Sequence, residues 1–99
     1  MRAGFILPQV GPLGSADAIL KVAQRAEALG YDSLWVTERL LFPLKPQTSY
    51  PGTPDGSLPE VYKHVLDPVE TLTFVAGHTK RIALGTNVLD LPYYNPVML

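Results

Sequence analysis

Three short stretches of this sequence place side chains that could do chemistry. Glu38 and Arg39 stand side by side directly after the run Ser33-Leu34-Trp35-Val36-Thr37. Adjacent opposite charges at the end of a strand perturb one another's ionisation, which suits a catalytic pair as well as an ion-pair network closing a rim. Gly85-Thr86-Asn87-Val88 is the second stretch. There a glycine permits close backbone approach or a bulge within a strand, and Asn87 offers both a donor and an acceptor. A bulge serving only sheet curvature is the plainer alternative. The third is Pro8-Gln9-Val10-Gly11-Pro12, where Gln9 could donate to a ligand or simply sit in a connecting turn. Weaker candidates are Tyr93 and Tyr94, which could line a flat ligand or cover a rim, and Trp35, which reads as strand core. His64 and His78 have no metal-ligand spacing to any partner, so no metal site is expected. Neither Gly-x-Gly-x-x-Gly nor a Walker-type loop occurs, which leaves a Rossmann dinucleotide site without support.

These residues need elements that bring them together. Ala3 to Leu7 is a continuous short apolar run, the pattern of a strand buried on both faces in a parallel sheet. Ser15 can cap a helix running to about Leu29, with Ile19, Leu20, Val22, Ala23, Ala26 and Leu29 inward and Gly30 as a left-handed C-terminal cap. The strand 33–37 follows at once, completing a βαβ unit whose crossover should be right-handed. Asp67-Pro68-Val69-Glu70 is a capping box opening a second helix to about 78–79, with Val69, Leu72, Val75 and Ala76 inward. A third strand is expected from Arg81 to about Val88. Asn95 and Pro96 read as the start of a further helix. Between the second strand and second helix, residues 39–66 carry five prolines, so this long connection reads as an ordered loop at the active-site end or, alternatively, a plain flexible insertion, with Leu58 to Val65 able to form one helical turn. In parallel α/β folds such loops and the C-terminal strand ends hold the functional residues.

The composition excludes several classes. The 99 residues are 46% hydrophobic with a net charge of −1, which gives no basic footprint for nucleic acid and no polybasic patch for lipid. The absence of cysteine removes disulfides, thiolate metal sites and a cysteine nucleophile. No segment approaches the roughly 20 apolar residues of a membrane span, and a cytoplasmic protein is the expectation. The length allows a single domain. The strand–helix rhythm is that of a TIM (β/α)8 barrel, yet three strands are present where closure needs eight and about 250 residues. The chain is therefore expected to be an α/β N-terminal portion of such a barrel. A truncated, non-catalytic paralogue acting as an assembly or interaction module is the alternative, and a half-barrel or flavodoxin-like binding protein is a third.

Gly30-Tyr31-Asp32-Ser33-Leu34-Trp35-Val36-Thr37-Glu38, then Asp67 to Leu72, then Thr79-Lys80-Arg81-Ile82-Ala83-Leu84-Gly85-Thr86-Asn87-Val88, then Asn95-Pro96 occur in an order that resembles the bacterial luciferase-like monooxygenase superfamily. The third segment looks most like the branch using the deazaflavin coenzyme F420 in place of FMN. The resemblance implies a TIM barrel holding its cofactor at the C-terminal mouth, and hydride transfer at the deazaflavin C5 or oxygen activation by reduced FMN on a small organic substrate. It implies that Glu38 takes the place of the acidic residue near the cofactor ring. Arg39 falls where many members carry histidine. Asn87-Val88 matches the bulge that supports the ring, where deazaflavin-using members often have a non-prolyl cis peptide, and with Gly85, Thr86 and Glu38 these two are the expected cofactor-binding residues. It also implies homodimer formation through the helices after strands two and three. Combined with the strand reading, the expectation is a parallel sheet in the order one-two-three, both helices on one side, and Glu38, Arg39 and Asn87 on one rim. Three parallel strands leave an open face and two edges, so self-association is expected, with no tight cofactor binding by residues 1–99 alone.

Overall fold

The computed structural model describes residues 1–99 and forms one parallel three-stranded sheet in the order β1-β2-β3. Strand β1 is Gly4–Ile6, β2 is Ser33–Val36 and β3 is Ala83–Thr86. Phe5, Leu34 and Leu84 stand in one row, and Ile6, Trp35 and Gly85 in the next. Helix α1, Ala16–Ala28, links β1 to β2, and helix α2, Pro68–Ala76, precedes β3. No helix is long and apolar enough to cross a membrane.

Both helix starts follow from their caps. The Ser15 hydroxyl accepts from the Ala18 N–H, and the Asp67 carboxylate accepts from the Glu70 N–H, each satisfying a donor that the first turn leaves free. Gly30 takes φ 88° just past α1, a conformation that a side chain would strain. Because side chains alternate along a strand, Leu34 and Val36 point to one face while Ser33 and Trp35 point to the other. The first face meets Ile19, Ala23 and Ala26 of α1 and Val75 of α2, and together with Leu7 and Ile82 these residues make the core. Both helices therefore cover the same side of the sheet.

Several sequence expectations need correction. Strand β1 is not buried on both faces: Gly4, Phe5 and Ile6 are exposed, Ile6 at 69%, because β1 is an edge strand and its second face is uncovered. Phe5 packs edge-on against Tyr31 at 5.6 Å instead. Leu29 lies at the C-cap of α1 and is 60% exposed rather than inward. In α2 the buried stripe is Pro68, Thr71 and Val75, spaced three and four apart, whereas Val69 and Ala76 turn outward. Each lies one residue, about 100° of rotation, beyond the buried stripe. Helix α2 also stops at Ala76, with Gly77 as its cap, and β3 is half the expected length.

The shortening of β3 has a visible cause. The Glu27 carboxylate, at the end of α1, accepts from the N–H groups of Lys80, Arg81 and Ile82 at 2.7 to 3.1 Å. Those donors would otherwise extend the strand. The same bonds hold the Glu27 carboxyl below the usual carboxylate range, the bond from Arg81 contributing most. At the other end the Asn87 N–H donates to the Val36 carbonyl at 2.7 Å and closes the ladder. The final residues form the anticipated first turn: the Asn95 carboxamide accepts from the Val97 N–H at 2.9 Å, and its carbonyl from Met98 and Leu99.

On the uncovered face, Trp35 spans the sheet. A Cβ added to Gly85 would stand 2.6 Å from Cζ3 of its indole, and one added to Gly4 would stand 2.7 Å from Nε1. The indole N–H is fixed by the Ser33 hydroxyl at 2.8 Å. Gly85 thus makes no bulge; it keeps regular register opposite Trp35 and leaves room for the ring. Gly85→Ala is expected to cost about 1–3 kcal/mol through overpacking, and to change the Trp35 emission. Gly77→Ala meets its nearest neighbour at 3.5 Å and should leave both unaltered. Denaturant unfolding followed by tryptophan fluorescence checks the pair.

Candidate functional site at the strand C-terminal ends

Parallel strands bring their C-terminal ends to one rim, and the loops following β1, β2 and β3 meet there. The connection 39–66 is ordered largely by its own packing, with one 3₁₀ turn at Glu60–Lys63 inside the stretch expected to be helical. The Arg39 guanidinium sits over the Tyr62 ring at 4.6 Å, and the Lys63 ammonium over the Phe42 ring at 5.1 Å. Two cation–π contacts therefore tie the two ends of the loop to each other. Lys63 also pairs with Glu60, the one ion pair in the molecule. Glu38 and Arg39 do not pair, so the ion-pair network considered for them is absent.

Gln9 secures this loop to the first one. It is only 1% exposed, and both ends of its amide are used. Its Nε2 donates to the Leu66 carbonyl at 2.9 Å, and its Oε1 accepts from the Thr37 N–H. Backbone pairing of Val10 with Val65 and a bond from the Leu66 N–H to the Gln9 carbonyl at 3.1 Å complete the seam. The idea that Gln9 donates to a ligand is therefore corrected. Its polar atoms are committed to fixing the backbone just before Glu38 and just before α2.

Glu38 is half-buried and reaches across to the loop after β3. One carboxylate oxygen accepts from the Tyr94 hydroxyl at 2.5 Å, and the other accepts from the Asp90 N–H. The Tyr94 phenol is pushed up to about 12, first because its proton is shared with the Glu38 carboxylate, then through desolvation and the negative charges around it. Glu38, Arg39 and Val88, together with Leu40, Leu41 and Tyr93, line a cavity of about 340 Å³. A smaller cavity of about 220 Å³ lies between Glu38, Arg39 and the start of α2. The arrangement offers a fixed carboxylate, an adjacent guanidinium and apolar walls at one opening.

The sequence-derived residues divide accordingly. Glu38, Arg39 and Val88 come together around one cavity. Asn87 directly follows β3 on the same rim, and the Asn87–Val88 peptide is cis, as the resemblance implied for that position. Thr86 lies within β3 opposite Val36, and Gly85 serves the Trp35 ring. Asp90 and Tyr62 were not anticipated, because one acts through its backbone and the other through its ring face. Tyr94 was named only as a lining or covering residue, and its hydroxyl partner lies 56 residues away.

The chain matches the family described as luciferase-like monooxygenase over residues 1–99. It is 36% identical over 78 residues to an uncharacterized protein of Mycobacterium tuberculosis, covering 78% of this chain and 28% of that one. It is 30% identical over 101 residues to the 4-hydroxyprotoasukamycin monooxygenase of Streptomyces nodosus subsp. asukaensis, covering 97% of this chain and 22% of that enzyme. The chain thus spans less than a third of the length of these relatives. No solved structure matches it significantly. With three parallel strands, helices on one side and the expected carboxylate at the rim, this chain belongs to the luciferase-like monooxygenase family.

Proposed function

We propose that the Glu38 rim is part of the active site of a flavin- or deazaflavin-dependent oxidoreductase acting on a small organic substrate, with coenzyme F420 as cofactor and FMN as the alternative. The observation that carries this reading is the convergence of Glu38, Arg39 and Val88 on one cavity at the C-terminal ends of parallel strands, in a chain of this family. The residues fit a planar ring system: Leu40, Leu41, Val88 and Tyr93 give apolar walls, and Glu38 gives a polar edge. Asn87 and Val88 would hold the ring alongside Leu40. The bound cofactor supplies a hydride or an electron pair, chemistry that no side chain here provides.

The protein's own contribution is positional and electrostatic. The Tyr94 hydroxyl and the Asp90 N–H fix both oxygens of Glu38, so that a proton can be held or taken at a defined place. Arg39 sets a positive charge beside the opening, and Leu40 and Leu41 give it apolar walls. Spectral titration of the polypeptide carrying these residues with F420 and with FMN tests the reading. Binding of F420 in preference to FMN is expected, and binding of neither would overturn it. Residues 1–99 by themselves should bind weakly, because the phosphate-holding loops of such barrels follow strands seven and eight.

A second role, self-association as an assembly module or homodimer, is favoured by the uncovered sheet face. That face presents Ile6 and the half-exposed Trp35, and a groove of about 380 Å³ between Phe5 and helix α1 adds further apolar surface. Burying a few hundred Å² at about 25 cal/mol per Å² offsets several kcal/mol of ordering cost. Sedimentation of residues 1–99 should give a dimer or larger species, and a stable 10.8 kDa monomer would remove this role.

A further inference from the structure

The connection 39–66 walls a further concavity that the proposed redox chemistry leaves unused. It has a volume of about 450 Å³ and is walled by Arg39, Lys45, Gln47, Thr48, Ser49 and Tyr50, with prolines between them. No carboxylate lines it, although the chain as a whole carries a net charge of −1. Neither cation is neutralised within the molecule, since the only ion pair joins Lys63 to Glu60. Asp55, the acid nearest in sequence, turns its Oδ1 to the N–H and hydroxyl of Ser57.

The cavity is also held in shape. The Tyr62 ring supports the Arg39 guanidinium at 4.6 Å, and Tyr50 packs edge-on against Tyr62 at 6.3 Å. Pro43, Pro46 and Pro51 restrict the backbone that carries Lys45 and the hydroxyl residues. A concavity with two cations, three hydroxyls and no acid is a donor set for an oxyanion, while the Gln47 amide is turned to the Lys45 carbonyl. Arg39 lines both this cavity and the one beside Glu38, so the two are neighbours that share this residue.

We infer that this cavity is the subsite for a carboxylate or phosphate group carried by the substrate that reacts at the Glu38 rim. The assignment to a substrate rests on the oxidoreductase reading above. The anion site itself rests only on the cavity. A cofactor phosphate is the less suitable occupant, because barrels of this kind hold that group on the loops after strands seven and eight, far around the rim from the second loop.

Titration with inorganic phosphate at constant ionic strength, followed by amide and guanidinium NMR signals, tests the site. Saturable shifts confined to Arg39, Lys45, Thr48, Ser49 and Tyr50 are expected. Lys45→Gln should weaken the binding about tenfold, the usual worth of one charge-assisted contact. Lys80→Gln, which removes an equal charge outside the cavity and its loop, should not. Linear, unsaturable shifts, or equal weakening by both variants, would overturn the inference. So would displacement of phosphate by F420 or FMN, which would assign the cavity to the cofactor. Saturable phosphate binding in a protein that takes up neither cofactor would retain the anion site and overturn only its assignment to a redox substrate.

Discussion

Glu38→Gln is expected to lower turnover by about two to three orders of magnitude under the proposed chemistry, the usual range for losing a positioned acid–base group. The substitution is close to isosteric, but it cannot reproduce the geometry. The carboxylate accepts at both oxygens, from the Tyr94 hydroxyl and from the Asp90 N–H. A carboxamide offers one acceptor and one donor, so only one of the two bonds survives as it is; with its oxygen on the Asp90 N–H, the carboxamide must donate to the Tyr94 oxygen and reverse that bond. A structural signature accompanies the kinetic one. The Tyr94 phenol, raised to about 12 by Glu38, should fall back toward its ordinary value near 10. The raised value means that the protonated phenol is favoured in the folded protein. The tie between Tyr94 and Glu38 is therefore complete below about pH 10 and is lost as pH rises through about 12. NMR titration of ring-labelled tyrosine resolves Tyr94 from the other four. An unchanged Tyr94 titration in Glu38→Gln would show that the carboxylate is not its partner.

The elements that were legible in the sequence are those fixed by local chemistry. Ser15 and Asp67 cap their helices because a side-chain oxygen three residues ahead of a free N–H can bond it wherever the chain goes next. Gly30 ends α1 for the equally local reason of its positive φ. The parallel order follows from the βαβ rhythm, and with it the placement of Glu38 and Asn87 on one rim. What was not legible depends on partners distant in sequence. Glu27 reads as a solvated residue near the end of an amphipathic helix, yet it accepts three N–H groups more than fifty residues away and so shortens β3. The exposure of Ile6 and Phe5 could not be seen in an apolar run that suits a buried strand, because burial depends on what covers the sheet. The buried stripe of α2 contains Pro68 and Thr71, neither a strong hydrophobic marker, so periodicity selected its more apolar neighbours. In the site, the Arg39 charge was legible but its support was not, since a tyrosine ring 23 positions later carries no spacing signal.

Gln9→Leu should be the most destabilising single change at the rim, although it replaces one buried side chain by another of similar size. The residue is 1% exposed, and its amide is the partner of the Thr37 N–H and of the Leu66 carbonyl. Leucine leaves one part-buried donor and one part-buried acceptor without partners, at the lower end of about 1–3 kcal/mol each, so a loss of about 2–3 kcal/mol is expected. For a domain whose whole stability is about 5–15 kcal/mol, that is a large share. Gln9→Glu separates the hydrogen-bond argument from simple packing. Its carboxylate can still accept from Thr37, but when ionised it has no proton to give the Leu66 carbonyl. Protonation restores that donor, so the folded state should raise the carboxyl's pKa above the unfolded value of about 4.3. The stabilising contribution of the protonated form is then complete below that value and is lost as pH rises through the higher folded one. Urea unfolding midpoints for Gln9→Glu should therefore move toward those of the native protein as pH falls, while those for Gln9→Leu should stay low throughout. Parallel pH profiles for the two variants would show that Gln9 fills space rather than holding the backbone before Glu38 and before α2. A pH-dependent recovery in Gln9→Glu alone, with slowed hydrogen exchange at the Thr37 amide, would place the stability of the rim in this one buried amide.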